Sequence, residues 1–459
     1  MNSPAPAVVL VSCYELGRQP LAVATAARAL HDAGIATAAV DLACQRLEDL
    51  DAATWTDARL VAVSVPMHTA LRLAARAIPR IRALAPRARL VLFGMYAGLN
   101  ATHLRSVHDV DAVTGGECEP ALVELARAAI AGRPAEAPAI VLGRGAPPTP
   151  RRDGLPGLDR YARLEFGGET RTIAAVETTR GCLHGCRHCP IPPVYGRRLF
   201  VVPVAAVLED VRRVVSAGAR HLTFADPDFL NGPAHALRVA RAIRREFPEM
   251  TFDATIKIEH LLRHRAILRE LAALGCLFVV SAVESLHDDV LEVLDKGHTA
   301  ADVFEADQLL ADAGIALRPS LMPFSPWETL PSYGRILDWI ENGDRLDRID
   351  PVQLSIRLLV PPGSWLESHP RMTPHLRGSD AQAFQIRWEH PDPAMDRLHV
   401  AVAAVVAEGA RREEDPRQTL ARIRAAWCAA SGRPAVAVST VPPARLQRRP
   451  PRITEPWFC

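Results

Sequence analysis

Three cysteines, Cys182, Cys186 and Cys189, fall inside the stretch "TTRGCLHGCRHCP" at residues 178–190, in a chain that has nine cysteines in all. Thiolates are soft metal ligands, and both a closed structural zinc site and a four-iron cluster normally take four protein ligands. Three thiolates leave one iron with a free coordination position, and a free position binds a small molecule, the same logic that separates catalytic from structural zinc. Gly181 and Gly185 let the backbone wrap tightly around such a group. The competing chemistry is a zinc knuckle in which His184 or His188 completes the set. No second ligand pair flanks the loop, however, and a knuckle leaves the pattern downstream unexplained. Cys13, Cys44, Cys118, Cys276 and Cys428 are scattered, and each alone reads as a small buried side chain.

Other candidates stand at strand ends. "FADPDF" puts Asp226 and Asp228 where acidic side chains either bind a polar ligand or cap the next loop. Glu284 and Ser285 end "SAVES", and Glu284 is either turned to a ligand or ion-paired within a barrel. Arg357 has the planar fork that grips a carboxylate, with a solvated arginine as the alternative.

The elements that must position these residues form two alternating series. Over residues 1–133, apolar runs such as "AVVLVSC", "LVAVSVP" and "RLVLFG" alternate with helical patterns at 21–33, 70–84 and 120–131. That pattern predicts a Rossmann-like, doubly wound α/β domain of about five parallel strands. Ligands of such domains sit at the carboxyl ends of the strands, here Ser12, Cys13, Ser64, Gly94 and the Gly115–Gly116 pair. No G-x-G-x-x-G is present. Residues 134–170 open with "PAEAPAIVLGRGAPPTPRRDGLP", rich in Pro, Gly and Ala, and read as a linker. Over 171–370 the alternation restarts with six strand and helix units, a partial (β/α)6 barrel whose reactive end lies where the strands finish. Residues 371–459 are expected to be helical, at 395–411 and 416–430, and to end in an extended arginine- and proline-rich tail.

Composition narrows the classes. Apolar residues make up 49% and charged residues 23%, and 54 basic against 52 acidic residues leave a net charge of +2. Such a balance gives no footprint for nucleic acid. No apolar run is long enough for a membrane span and no basic leader opens the chain, so the expected location is the cytoplasm. In that reducing compartment clustered thiols serve metals or redox chemistry rather than disulfides.

The C-x3-C-x2-C loop directly after the first barrel strand makes residues 171–365 resemble the radical S-adenosylmethionine (radical SAM) superfamily. The resemblance implies a [4Fe-4S] cluster on Cys182, Cys186 and Cys189. Its open iron would be chelated by the amino and carboxylate groups of S-adenosylmethionine, which is cleaved by an electron from a flavodoxin- or ferredoxin-type donor. His188 stands where the family usually has an aromatic residue and, as a planar substitute, would contact S-adenosylmethionine near its adenine. Asp226, Glu284, Ser285 and Arg357 would contact S-adenosylmethionine, while Lys296, Gly297 and Thr299 shape a helix end. The "ES…VL…KGHT" pattern, the "PPGS" turn and "GGECEP" at 115–120 are similar to the cobalamin-binding class of these enzymes. Many members of that class move a methyl group to carbon through cobalamin. By that resemblance Ser64, Gly94, Gly115 and Gly116 would face cobalamin, although the D-x-H-x-x-G motif is replaced by "SCYELG" and His68 is not its positional match. A cobalamin-independent enzyme acting on a peptide or small metabolite is the second enzymatic reading, and a zinc-stabilised scaffold the non-enzymatic one.

"VSVPMHTALRLA", "DATIKIEHLLRH" and the final "PWFC" look like the CUAEP/CCAEP-tail radical SAM family. Its members continue past a cysteine into Cys or selenocysteine followed by Ala-Glu-Pro. The expectation is that Cys459 precedes a selenocysteine codon read as a stop, and that it belongs to a redox tail. Nothing in the residue types names the substrate.

Overall fold

The computed structural model describes residues 6–143, 145–343, 345–434 and 450–455. Strands β1 (Val8–Ser12), β2 (Thr37–Asp41), β3 (Leu60–Ser64), β4 (Arg89–Phe93) and β5 (Ala112–Thr114) form one parallel sheet in the order β2-β1-β3-β4-β5. Val8 to Val11 have no exposed surface, because helices cover both faces. The helices Leu21–Asp32 and Glu119–Ile130 pack on one face, and His68–Leu84 with Ala101–Val107 on the other. This is the doubly wound layer read from the sequence, and its order reverses between β1 and β3, where ligands of such sheets gather.

The segment expected to be a linker is partly built into the sheets. Val141 makes a parallel bridge to Gly116, and β6 (Arg163–Phe166) pairs antiparallel with β7 (Glu169–Val176). After the hairpin of β8 (Thr179–Gly181) and β9 (Leu199–Val201) come β10 (His221–Phe224), β11 (Thr251–Thr255), β12 (Cys276–Glu284) and β13 (Ala316–Leu321). β7 and β10 to β13 are consecutive parallel neighbours in a curled half-barrel, with helices packed on one apolar core outside it. The sixth expected strand contributes a single parallel bridge, Phe324 to Arg357. Its first half is a 3-10 turn, Pro351–Ser355, because Pro351 opens that turn with its φ already fixed.

The expected helices beyond residue 371 are present as Pro393–Arg411 and Pro416–Ser431, capped by Asp392 and Asp415. A hairpin of β14 (Leu376–Asp380) and β15 (Gln385–Trp388) precedes them, and Phe384 at its turn is buried in the core of the front sheet. The end of the chain adds β16 (Arg452–Ile453) to the free edge of β6, and Glu455 accepts a hydrogen bond from Tyr14 at 2.8 Å. No helix among the described residues is long and apolar enough to cross a membrane.

Candidate functional site

The three cysteines lie on the loop that leaves β8 at the carboxyl end of β7. Gly181 has a φ of +75°, and a Cβ there would stand 2.2 Å from the carbonyl oxygen of Arg198 across the hairpin. Only glycine closes the loop this tightly. Cys182 and Cys186 are buried and Cys189 is half-buried. The Cys189 amide donates to the Cys186 carbonyl at 3.1 Å, the Arg187 amide to Leu294 at 3.0 Å, and Asn231 Nδ2 to Cys182 Sγ at 3.4 Å. Burial pushes the Cys189 thiol up to about 12; the neighbouring Cys186 and Cys182 add to the rise and Lys296 opposes it. A metal takes the place of the thiol protons when it binds, so three closely spaced cysteines on one loop suit a metal cluster. Both histidines of the zinc alternative have contacts through Nε2, while His188 Nδ1 has no hydrogen-bond partner. His184 Nε2 stands 3.2 Å from His260 Nε2, and His188 Nε2 stands 3.1 Å from Glu284 Oε1.

Glu284 ends β12 at a register shift and has a φ of +65°. For a non-glycine residue that conformation costs on the order of 1–3 kcal/mol and persists where the surroundings impose it. Here they do: Oε1 receives Lys296 Nζ at 3.2 Å and His188 Nε2 at 3.1 Å. Burial opposes the charge, but Lys296 and then His188 outweigh it and hold the carboxyl well below the usual carboxylate range. Lys296 is 2% exposed and also feels Cys186 and Cys189, so one buried cation links the thiol loop to the end of β12. The sequence reading gave Lys296 only a helix-terminal role, because a pairing across a left-handed turn leaves no periodic signal.

His188, Glu284 and Arg357 line one cavity of about 680 Å³ at the barrel mouth. The front sheet contributes His68, Arg72 and Tyr96 to its wall, and the β14–β15 hairpin contributes Arg377, Arg387 and Trp388. Arg357 lies 3.6 Å over the Trp388 ring and donates to Asp396 at 2.7 Å and to the Trp388 carbonyl at 2.9 Å. The hairpin was not expected, although the apolar residues Phe384, Ile386 and Trp388 alternate with a period of two.

Several expected ligands have other partners. Asp226 is buried and accepts from the Thr178 amide at 2.8 Å, the Thr178 hydroxyl at 2.5 Å and the Thr179 hydroxyl at 2.6 Å. It therefore clamps the strand ahead of the thiol loop instead of facing S-adenosylmethionine. Burial raises its carboxyl to about 7 against those bonds. Ser285 has no exposed surface and donates to Glu328 at 2.6 Å, which turns it away from the mouth. Gly94, Gly115 and Gly116 make way for the chain's own backbone: the added Cβ atoms would stand 2.9 Å from Val65 O, 2.7 Å from Gly94 O and 2.3 Å from Val141 O. Ser64 is buried and lines neither of the two cavities described in this section. Cys459 lies outside the described residues.

Between the carboxyl ends of the two sheets a second, smaller cavity of about 230 Å³ borders Gly94 and Gly116. Arg180 fills this seam, with Nη1 2.6 Å from Glu119 and 3.4 Å from Glu117, and Nε 2.7 Å from Glu177. Burial still raises the Glu117 carboxyl to about 7. Pockets for drug-sized ligands run to roughly 300–1,000 Å³. The mouth cavity meets that size, and the seam falls below it.

Residues 176–339 match the model of the Radical SAM superfamily. That domain implies a [4Fe-4S] cluster and S-adenosylmethionine as cofactors, and the need for an external reductant. Among curated relatives, the hopanoid C-3 methylase of Methylococcus capsulatus is 29% identical over 230 residues, 48% of this chain and 44% of that protein. The ribosomal protein uS12 methylthiotransferase RimO of Cereibacter sphaeroides is 27% identical over 191 residues, 39% of this chain and 41% of that one. The chain thus spans less than half the length of either relative. Two solved structures share the fold. The radical SAM methyltransferase TsrM from Kitasatospora setae superposes with a TM-score of 0.58 at 20% identity, covering 73% of this chain and 71% of that one. The cobalamin-dependent radical enzyme OxsB gives 0.69 at 14% identity, covering 93% and 72%.

Proposed function

We propose that this chain is a radical SAM methyltransferase that acts on carbon of a small, acid-bearing substrate held in the 680 Å³ mouth cavity. The observation that carries the reading is the shared wall: His188, next to the third thiol, and Glu284 line the same cavity as the guanidinium groups of Arg72, Arg357, Arg377 and Arg387. When bound, the cluster and S-adenosylmethionine supply reductive carbon–sulfur cleavage. Cys182, Cys186 and Cys189 would hold the cluster, and Glu284 with Lys296 and His188 would orient the polar end of S-adenosylmethionine. Arg357, stacked on Trp388 and already paired with Asp396, adds its positive charge to the wall. The hopanoid methylase supports methyl transfer as the reaction class. Leu183, exposed on the thiol loop, gives a flavodoxin- or ferredoxin-type donor its approach, and the cytoplasm keeps such thiols reduced.

A second reading adds cobalamin, as the fold shared with OxsB suggests. In that reading Arg180, held by Glu119 in the seam, would have to move to make room for a corrin there.

The test is an anaerobic preparation. A brown protein with about four irons that cleaves S-adenosylmethionine supports the reading, provided both properties vanish when the three cysteines are changed to alanine. One zinc and no colour overturns it. Red absorbance that survives desalting after incubation with hydroxocobalamin selects the second reading.

A further inference from the structure

Directly behind the thiol loop a different set of donors converges. His184 sits between Cys182 and Cys186, Asp228 follows β10, and His260 lies on the helix Ile258–Arg263 after β11. One ligand atom from each falls within 4.8 Å of the other two, and among the described residues this is the group of three so arranged. The contacts are His184 Nε2 to His260 Nε2 at 3.2 Å, Asp228 Oδ2 to His260 Nδ1 at 2.9 Å, and Asp228 Oδ2 to His184 Nε2 at 3.7 Å.

We propose that His184, His260 and Asp228 form a mononuclear site for a borderline divalent ion of the zinc or iron(II) kind, separate from the cluster. Metal–nitrogen bonds of about 2.0–2.1 Å place neighbouring ligand atoms roughly 3 Å apart, and His260 Nδ1 and Asp228 Oδ2, at 2.9 Å, already have that spacing, with His184 Nε2 as the third ligand atom. Two nitrogens and one carboxylate oxygen suit zinc, iron(II) or cobalt(II), whereas magnesium and calcium ask for oxygens.

A second observation points to the ion. His260 is 5% exposed and its Nδ1 has no hydrogen-bond partner, because the nearby Asp228 oxygen lies off the ring's N–H axis. A relay of hydrogen bonds through the two rings to Asp228 would need that very link. Asp228 is meanwhile held in place, since its Oδ1 accepts from the Leu230 amide at 3.0 Å. Behind His184, Glu259 Oε2 lies 3.7 Å from Nδ1, an outer carboxylate of the sort that orients a metal-bound histidine. Lys257 Nζ, 3.1 Å from both that nitrogen and Glu259, is neutralised by the glutamate.

Such an ion would tie the thiol loop to the ends of two barrel strands. Three residues beyond Asp228, Asn231 already touches Cys182.

The experiment uses the full chain with its cluster reconstituted anaerobically, stripped of loose ions by a chelator and titrated with cobalt(II). The expected result is one saturable equivalent with visible d–d absorbance, displaced by zinc, on protein that keeps its iron. His260→Ala and Asp228→Asn should each weaken cobalt binding at least about 100-fold with iron content unchanged. His184→Gln, on the more exposed ring, repeats the test should either buried variant fail to fold. The proposal is overturned if the wild-type chain shows no saturable equivalent, or if a folded variant binds cobalt as the wild type does. Repeating the titration on the chain lacking Cys182, Cys186 and Cys189 separates the two sites: cobalt bound there through His260 stands whether or not a cluster forms.

Discussion

Lys296→Met is the most informative single perturbation. Lys296 and Glu284 are both buried, 2% and 7% exposed, and their contact is 3.2 Å. Removing one partner of a buried ion pair costs about 3–5 kcal/mol, because the other is left as an uncompensated charge. His188 remains on Glu284, which places the expectation toward the lower figure. For a unit of the barrel's size each kcal/mol lowers the melting temperature by about 2–4 °C, so Lys296→Met should melt about 6–20 °C below the wild type. The acid limb should change as well. Glu284 is held below its ordinary value, so its contribution is present above the unfolded carboxyl's pKa of about 4.3 and is lost as pH falls through the folded value; the variant should lack that loss. Anaerobic calorimetry at neutral pH, with Lys296→Met/Glu284→Gln alongside, makes the measurement. The double variant should recover most of the deficit, since it removes both charges. A single variant melting within about 2 °C of the wild type, or a double variant no more stable than the single, would refute the argument that this pair anchors the loop.

Gly181→Ala should lower stability by more than about 1 kcal/mol and reduce iron uptake at unchanged far-ultraviolet dichroism, since the new Cβ meets the Arg198 carbonyl at a positive φ; full iron loading would count against it. Arg357→Lys loses the stacking on Trp388 and should weaken S-adenosylmethionine or substrate binding about 2- to 30-fold with kcat nearly unchanged. A fall in kcat alone would place Arg357 elsewhere in the reaction. Folded Asp226 keeps its proton up to about pH 7, while the unfolded carboxyl loses it near 3.9. Between those values the folded state binds more protons and stability falls as pH rises. Asp226→Asn should flatten that fall, which urea midpoints at about pH 5 and pH 7 measure directly.

The front sheet was readable because Val8 to Val11 and their neighbours are apolar without interruption, a pattern that only doubly covered strands require. The thiol spacing was readable for a similar reason, since ligand chemistry restricts residue type and distance along the chain together. What stayed hidden depends on contacts between distant segments. Asp226 and Ser285 looked like mouth residues from their place at strand ends, but Thr178, Thr179 and Glu328 take their polar atoms, and nothing local announces those partners. The sixth strand failed locally: "PVQLSIRLLV" has strand-like composition, yet Pro351 starts a 3-10 turn. His184, Asp228 and His260 are spread over 77 residues and meet only when the half-barrel curls.

Phe384 has a consequence for how the molecule is made. The core of the front sheet is completed by a side chain that leaves the ribosome about 250 residues after that sheet's last helix. At about 5–20 residues per second the nascent front layer waits roughly 12–50 s for its final apolar plug. Through that interval it must survive with a hole in its face, so it should need a chaperone, and a version cut after the first sheet should clump during translation unless the gap is filled.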